Sequence, residues 1–207
     1  MAATVNFHAT VRTLLRDQLL DAALGLIADR GWAQVRMVDV AAAIGVSRQT
    51  VYNEFGSKTG LAEALVARET ERFLTGIRER LDAHPGQVVE AIMAAVEYTL
   101  NAAADNPLLK AVLTATRGGS DDLLPLITTQ SEPIQTAATT MLTAYAREHW
   151  PQLGLDDEEL GIVLDSLVRL TVSRIVLPLA TPAEAARQIG WLISHVLAST
   201  AAPRTSG

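Results

Sequence analysis

Apolar residues recur every three or four positions over most of the chain, which is the spacing of one face of an α-helix. The first such segment predicts a helix over residues 13–30, whose apolar positions are Leu15, Leu19, Ala22 and Leu26. No segment alternates between apolar and polar residues for long enough to form a strand. The pattern therefore predicts an all-α protein.

Glycines, prolines and capping side chains separate the apolar segments and mark where helices start and stop. These signals predict further helices over residues 38–44, 48–55, 58–83, 88–104, 107–117, 133–150, 157–176 and 182–199. Together with the first helix this makes about nine. Residues 1–11 and 201–207 are predicted to be flexible tails, and a domain boundary is expected near residue 84.

Residues 36–55 have the layout of a helix-turn-helix. A short helix ends in a turn at Gly45, and Ser47 has the side chain of an N-cap for the next helix. The side chains of that helix which can bond to phosphates or base edges are Arg48, Gln49, Thr50, Tyr52 and Asn53. Arginine can pair with guanine, and glutamine or asparagine with adenine. The layout alone is a modest signal, because many helical hairpins share it.

The net charge of −6 argues at first against a nucleic-acid partner. Its distribution changes the picture, because residues 1–60 hold six basic and five acidic side chains while the rest of the chain holds 11 basic and 18 acidic ones. A nearly neutral N-terminal part can bind DNA if its cations share one face.

Several function classes are excluded by composition. The chain has no cysteine, which rules out disulfides, thiolate metal sites and a cysteine nucleophile. Its four histidines do not have metal-ligand spacing, so neither a metal nor another cofactor nor a catalytic residue is predicted. No uncharged stretch is apolar and long enough for a membrane span, and the N-terminus has no signal-peptide layout. We expect a soluble, cytoplasmic protein without a membrane partner.

Three short motifs in the helix-turn-helix region match a known family. They are Ala-x-x-x-Gly-Val-Ser from Ala41, Thr-Val-Tyr-x-x-Phe from Thr50, and Ser-Lys-x-x-Leu from Ser57. With this spacing the segment closely resembles the tetracycline-repressor (TetR) family, over roughly residues 12–70. The resemblance implies an N-terminal three-helix DNA-binding domain over residues 12–70 and a helical-bundle domain for effector binding and dimerisation over residues 84–200.

The same resemblance implies roles for individual residues. Ser47 would cap the recognition helix and contact a phosphate, Tyr52 would contact the DNA backbone, and Lys58 would meet a phosphate. The chain departs from the family at Arg36, where a threonine usually caps the second helix. Arginine has no acceptor for that role, so the helix end would rely on other partners and Arg36 could reach a phosphate. The DNA-binding residues predicted in this way are Arg36, Ser47, Arg48, Gln49, Thr50, Tyr52, Asn53 and Lys58.

The resemblance implies a ligand cavity in the C-terminal part, whereas its apolar helices by themselves fit a solid core equally well. Because these helices carry few charges, an apolar or amphipathic effector is favoured. The predicted lining of the cavity is Met93, Val96, Leu100, Asn101, Leu113, Thr114, Met141, Leu142 and Tyr145. Apolar stripes on the last two helices predict a dimer interface of Leu164, Leu167, Val168, Thr171, Ile175, Ile189, Leu192, Ile193 and Val196. A two-fold dimer would bind a palindromic DNA operator.

The leading hypothesis is a one-component transcriptional regulator, not an enzyme, that represses from a palindromic operator and is released by a small ligand. Residues 47–58 also resemble actinobacterial regulators that lie beside alkane or fatty-acid oxidation genes, which implies an acyl or alkane-like effector. One alternative is an all-helical enzyme with a degenerate DNA-binding head, although no phosphate-binding glycine loop or nucleophile–base pair is present. The other is a DNA-binding protein without an effector, for which the second half is unnecessarily large.

Overall fold

The structure is a computed structural model, which describes residues 7–106, 108–109 and 131–200. Within these residues the chain forms eight α-helices and no strand, which confirms the all-α class. The helices are α1 (Phe7–Arg30), α2 (Met37–Ile44), α3 (Arg48–Phe55), α4 (Lys58–Asp82), α5 (Val88–Asp105), α6 (Ser131–His149), α7 (Asp157–Val176) and α8 (Pro182–Thr200). None of these helices combines the length and the apolar character that crossing a membrane requires.

Most helix boundaries follow the signals in the sequence. The Ser47 hydroxyl accepts a hydrogen bond from the Thr50 N–H at 3.1 Å and caps α3, and Gly45 ends α2 with a left-handed φ of 74°. The predicted start of the first helix was wrong, because α1 begins at Phe7 and includes five residues assigned to a tail. The predicted helix over residues 107–117 and the tail at 201–207 lie almost entirely outside the described residues.

The last two helices begin with reciprocal capping boxes. At α7, Asp156 Oδ1 accepts hydrogen bonds from the backbone N–H groups of Glu158 and Glu159 at 3.0 and 2.9 Å. The Glu159 carboxylate in turn accepts from the Asp156 N–H at 3.2 Å. Thr181 and Glu184 form the same arrangement before α8. These local bonds satisfy backbone donors that a helix start leaves open.

Arg36 precedes α2, and the capping hydrogen bond at this helix start comes from a side chain of the first turn and not from Arg36. Its side chain caps nothing, but the Asp39 carboxylate accepts from the Arg36 backbone N–H at 3.3 Å and from Nε and Nη2 at 3.1 and 3.0 Å. Arg30 lies 3.0 Å from the same carboxylate. The hydrogen bonds from Arg36 are the main cause of a lowered Asp39 pKa. A carboxylate in the first turn also suits the positive end of the helix dipole.

The described chain packs as two compact units, one up to Glu69 and one from Thr70 onward, so α4 contributes to both. The first unit has a small core, to which each of its helices contributes one face. Its fully buried side chains are Leu19, Val35, Val40, Val51, Leu61 and Leu65. On α1 the buried positions are Leu19, Leu20, Ala23 and Ile27. The buried face of α1 therefore differs from the predicted one, because the helix carries two neighbouring apolar rows and only one of them is fully buried.

In the second unit, α5 and α8 pack against each other at close range. Gly190 of α8 permits this approach, since a Cβ at that position would overlap the Met93 side chain. Trp150 follows α6 and is buried, with its ring edge-on to Tyr145 at 5.3 Å between ring centroids. This packing holds α5, α6, α7 and α8 in one helical bundle.

An ion pair network joins α3 to α1 within the first unit. The Glu54 side chain is 9% exposed and accepts from Arg16 Nη1, at 2.6 Å, and from Arg12 Nε, at 3.0 Å. The Arg16 guanidinium also lies 4.9 Å from the Phe55 ring centroid. Burial raises the pKa of Glu54, but the two arginines outweigh that effect and the net pKa is lowered.

We therefore expect Glu54→Gln to destabilise the first unit by about 1 kcal/mol at pH 7, since its arginine partners are partly exposed and the interaction is screened. Because the folded pKa is lowered, the stabilisation is present above the unfolded pKa of about 4.3 and is lost as pH falls through the folded value. Hydrogen exchange of the α3 amides at several pH values measures this. Glu63→Gln, at an exposed position of α4, is the control. The expectation would be contradicted if the difference in stability between the wild type and Glu54→Gln were the same at pH 3 as at pH 7.

Candidate nucleic-acid interface and ligand cavity

The exposed face of α3 carries two side-chain pairs, each spaced four residues apart. Arg48 Nη2 lies 3.3 Å from the Tyr52 hydroxyl, and the guanidinium is 5.0 Å from the Tyr52 ring centroid. Gln49 Nε2 donates to Asn53 Oδ1 at 2.8 Å. Residues at this spacing lie next to each other on a helix surface. The four predicted DNA-contacting side chains therefore form one continuous polar surface.

Ser47 and Thr50 lie at the start of the same helix. Their hydroxyl oxygens are 2.9 Å apart, and Ser47 also accepts from the Thr50 N–H. The N-terminal end of a helix presents positive potential and free N–H groups, both of which favour a phosphate. The structure thus places the two predicted hydroxyls at a position that suits phosphate contact.

Arg36 is exposed, with 73% of its side chain accessible, but it is held by Asp39. That hydrogen bond raises the Arg36 pKa, so the guanidinium stays charged. A phosphate would have to share or replace the Asp39 carboxylate as its partner. The predicted phosphate contact of Arg36 therefore stays a prediction.

Lys58 has a structural role that the sequence analysis missed. Its ammonium donates to the carbonyl oxygens of Trp32 and Ala33 at 2.9 and 3.2 Å and lies 4.7 Å from the Trp32 ring centroid. Burial of the ammonium lowers the Lys58 pKa. A cation in the first turn of a helix is unfavourable without a partner, which was the available signal, and the partner found is the turn after α1. One donor of the ammonium is left for the predicted phosphate contact.

The second unit contains an apolar cavity of about 70 Å³. Helices α4, α5, α6 and α7 and the residue after α6 supply its walls. The lining residues are Phe73, Ile77, Leu81, Ile92, Ala95, Val96, Thr99, Ala138, Leu142, Trp150, Leu164, Leu167, Val168, Thr171 and Val172. No charged side chain is among the described residues of the lining.

The two threonines of the lining do not make it polar. The Thr99 hydroxyl donates to the Ala95 carbonyl oxygen at 2.8 Å, and the Thr171 hydroxyl donates to that of Leu167 at 2.8 Å. Both donors are therefore satisfied within their own helices. A ligand in this cavity would meet an almost entirely apolar surface.

The structure places the predicted pocket residues in several different environments. Val96 and Leu142 line the cavity, whereas Asn101 is exposed and Met93 packs against Gly190. Leu100 lines a different cavity, while Met141 and Tyr145 line a shallow groove that also contains Arg78. Leu113 and Thr114 lie outside the described residues. On α5 the division follows from the rotation of the helix about its axis. The face that lines the cavity contains Ile92, Ala95, Val96 and Thr99, and it does not contain Met93 or Asn101.

Tyr145 illustrates why a polar group at a plausible position need not serve a ligand. Its side chain is 5% exposed and its ring stacks on His149 at 4.2 Å between centroids. Burial, followed by hydrogen bonding to Asp82, raises the Tyr145 pKa to about 12. The hydroxyl thus has an acidic partner already and stays protonated.

Most of the predicted dimer-interface residues are buried within the single chain. Leu164, Leu167, Val168 and Thr171 line the cavity, and Ile175, Ile189 and Ile193 are at most 6% exposed. Six of these seven residues are buried and Val168 is half-buried, so they leave little surface for a partner, and their assignment to the interface stays a prediction. Val196 is half-buried, and Leu192 alone of the predicted set is exposed, at 39%. Other exposed large apolar side chains of α7 and α8 are Ile162, Leu170, Val176 and Trp191, at 61%, 37%, 45% and 64%.

Two family models match the chain. Residues 19–65 match the model described as bacterial regulatory proteins of the tetR family, and residues 87–195 match the bacterial tetracyclin repressor C-terminal domain. The second match alone covers more than half of the chain.

Similar proteins span nearly the whole chain. The HTH-type transcriptional regulator AlkX of Mycobacterium tuberculosis is 36% identical over 92% of this chain and 88% of its own length. The crystal structure of the TetR family repressor AlkX of Dietzia sp. strain DQ12-45-1b, implicated in biodegradation of n-alkanes, is 32% identical with a TM-score of 0.65, covering 88% of this chain and 97% of that one.

A regulator from Pectobacterium atrosepticum has the same fold, with a TM-score of 0.66 at 17% identity, over 94% of this chain and 98% of that one. Members of this family bind DNA operators and typically act as homodimers with small-molecule effectors. The helix-turn-helix geometry, both domain matches and the full-length relatives agree: this chain belongs to the TetR family of HTH-type transcriptional regulators, DNA-binding proteins rather than enzymes.

Proposed function

We propose that this regulator represses transcription from a palindromic operator and is released from it by a molecule with a long, unbranched aliphatic chain. The observation that carries the proposal is the cavity of the second unit, whose described lining holds no charge and no unsatisfied donor. Such a surface favours methylene groups over polar ligands. The implication of the Dietzia AlkX repressor in n-alkane degradation supports the same ligand class.

The polar surface of α3 is proposed to read the operator. Arg48 and Gln49 are the side chains at its N-terminal end that can bond to base edges, and each is oriented by a partner one turn later. Such pairing limits the rotamers of long side chains before DNA binds, which lowers the entropy cost of each contact. The Tyr52 hydroxyl, which can both donate and accept, suits a phosphate contact that positions the helix.

The dimer is proposed to form through the exposed apolar side chains of α7 and α8. Ile162 and Leu170 lie eight residues apart on α7, so they share one helix face. Trp191 and Leu192 supply the apolar surface of α8. Exposed apolar patches rimmed by polar residues are typical of association surfaces. A two-fold axis through this surface would pair two copies of α3 with two halves of a palindrome.

Release is proposed to depend on α4. Phe73, Ile77 and Leu81 belong to this helix and form one wall of the cavity. A volume of about 70 Å³ holds only a few water molecules, so an aliphatic chain can enter only if the walls move. Because α4 begins at Lys58, movement of its second half changes a helix that also belongs to the DNA-binding unit. The ligand would thereby favour an arrangement with lower operator affinity.

A mobility-shift assay tests the proposal directly. DNA from upstream of the protein's own gene is incubated with the protein, with and without decane, decanol or decanoate. The proposal requires a specific complex that at least one of these molecules dissociates. A complex that none of a series of aliphatic chains dissociates would favour the alternative of a regulator without an effector.

We expect Arg48→Ala to lower discrimination between operator and random DNA by about 1–3 kcal/mol, because a bidentate contact to a base is lost. Tyr52→Phe should weaken binding to both DNAs by a similar factor, because a phosphate contact carries no sequence information. Fluorescence anisotropy at one fixed salt concentration measures both ratios. If Arg48→Ala preserves the specificity ratio, Arg48 does not read a base.

We expect Trp191→Glu and Ile162→Glu to give monomers at micromolar concentration, because a charge would be placed inside an apolar interface. Analytical ultracentrifugation measures the oligomeric state. Val11→Glu changes an exposed apolar residue of α1 in the same way and should leave the dimer intact. Dimers in both α7 and α8 variants would show that the interface lies elsewhere.

We expect Ala138→Leu to lower the affinity for aliphatic ligands by about tenfold, because the added methyl groups occupy cavity volume. Ala144→Leu adds the same groups on the exposed side of α6 and should bind ligand as the wild type does. Isothermal titration calorimetry with decanol compares the two variants. Equal affinities would place the ligand outside this cavity.

A further inference from the structure

A second cavity, of about 160 Å³, lies between α5, α7 and α8. Its described lining is apolar except for one residue, Arg174. The lining residues are Leu100, Ala103, Ala104, Arg174, Ile175, Pro178, Ala180, Pro182 and Ala185. The fold has therefore placed a permanently charged guanidinium against a surface of methyl and methylene groups.

Arg174 is half-buried and has no hydrogen bond or ion pair with any other residue in the described part of the chain. This distinguishes it from nearby charged groups that do have partners. Arg169, on the same helix, bonds to Asp165 at 2.6 Å. Glu184, on α8, accepts hydrogen bonds from Thr181. The position of Arg174 in the last turn of α7 is favourable for a cation, but it leaves the five N–H donors of the guanidinium available.

The two cavities lie one after the other along the same two helices. On α5 the first cavity ends at Thr99 and the second begins at Leu100. On α7 the first ends at Val172, and the second contains Arg174 and Ile175. The path along α7 from Leu164 to Arg174 covers ten residues, or about 15 Å at the rise of an α-helix. We call the path through both cavities, between α5 and α7, the apolar seam; an extended aliphatic chain placed along it would have its end at the guanidinium.

We infer that Arg174 binds the carboxylate of an unbranched aliphatic acid whose chain occupies the apolar seam between α5 and α7. The inference rests on the proposed function and adds the chemical class of the effector's polar end. A guanidinium and a carboxylate form two parallel hydrogen bonds, and the apolar surroundings strengthen them. A neutral hydrocarbon would use only the seam and would leave the guanidinium without a partner.

Calorimetry with decanoate and methyl decanoate tests this inference, because the two have the same chain and differ in charge. We expect the full-length wild type to bind decanoate at least tenfold more tightly than the ester. Arg174→Gln should lose about tenfold or more of the affinity for decanoate and less than twofold for the ester. Arg174→Lys keeps the charge and should retain part of the preference. Arg147→Gln removes an exposed arginine that lines neither cavity and should behave as the wild type.

Two results would overturn the inference. One is a wild type that binds the ester as tightly as the acid, which is decided without any variant. The other is an Arg174→Gln protein that retains the preference for the acid, or loses acid and ester affinity equally. If the ester binds and releases the operator while the acid has no advantage, the proposed function stands and the role of Arg174 is wrong. If neither molecule binds, both are wrong.

Discussion

The described structure depends on one helix that supplies apolar side chains to two cores. Leu61 and Leu65 of α4 are fully buried in the first unit, while Phe73, Ile77 and Leu81 line the cavity of the second. Both units therefore bury apolar side chains of the same helix. An effector that displaces the second half of α4 would act on a helix that the first core also requires. This shared helix is the physical basis of the proposed switch.

The DNA-binding unit solves a different problem, which is how an acidic chain presents a surface to an acidic polymer. The two carboxylates of α2 and α3, Asp39 and Glu54, each lie against two arginines. Neutralised in this way, they contribute little repulsion toward a phosphate at the exposed face of α3. Arg48 is left with a tyrosine as its partner, not a carboxylate, so its charge is available to DNA. Specific pairing, not net charge, makes the surface suitable for DNA.

The second unit contains one cavity without a charged lining residue and, farther along the same two helices, a second cavity with one. Thr99 and Thr171 turn their hydroxyl protons to their own helices, which keeps the first cavity apolar although two polar residues line it. Arg174 supplies a charge only in the next turn of α7. An amphipathic molecule matches this order of surfaces better than a uniformly apolar or polar one, since each part of it meets a complementary surface. The arrangement therefore links the fold to the chemistry of the effector that we infer.

The sequence by itself determined what depends on neighbours in the chain. The Ser47 cap, the Gly45 turn and the capping box of Asp156 and Glu159 are local bonds, so the helix-turn-helix and most helix limits follow from residue type and spacing. Periodicity also showed that α7 is apolar on one side, but not which partner that side meets. Tertiary packing alone decided that Leu164 faces a cavity inside the chain, and that Lys58 bonds to carbonyls of the turn after α1. The sequence of an apolar stripe or a charged residue does not show which group it will contact, because burial and pairing are properties of two surfaces brought together by the fold.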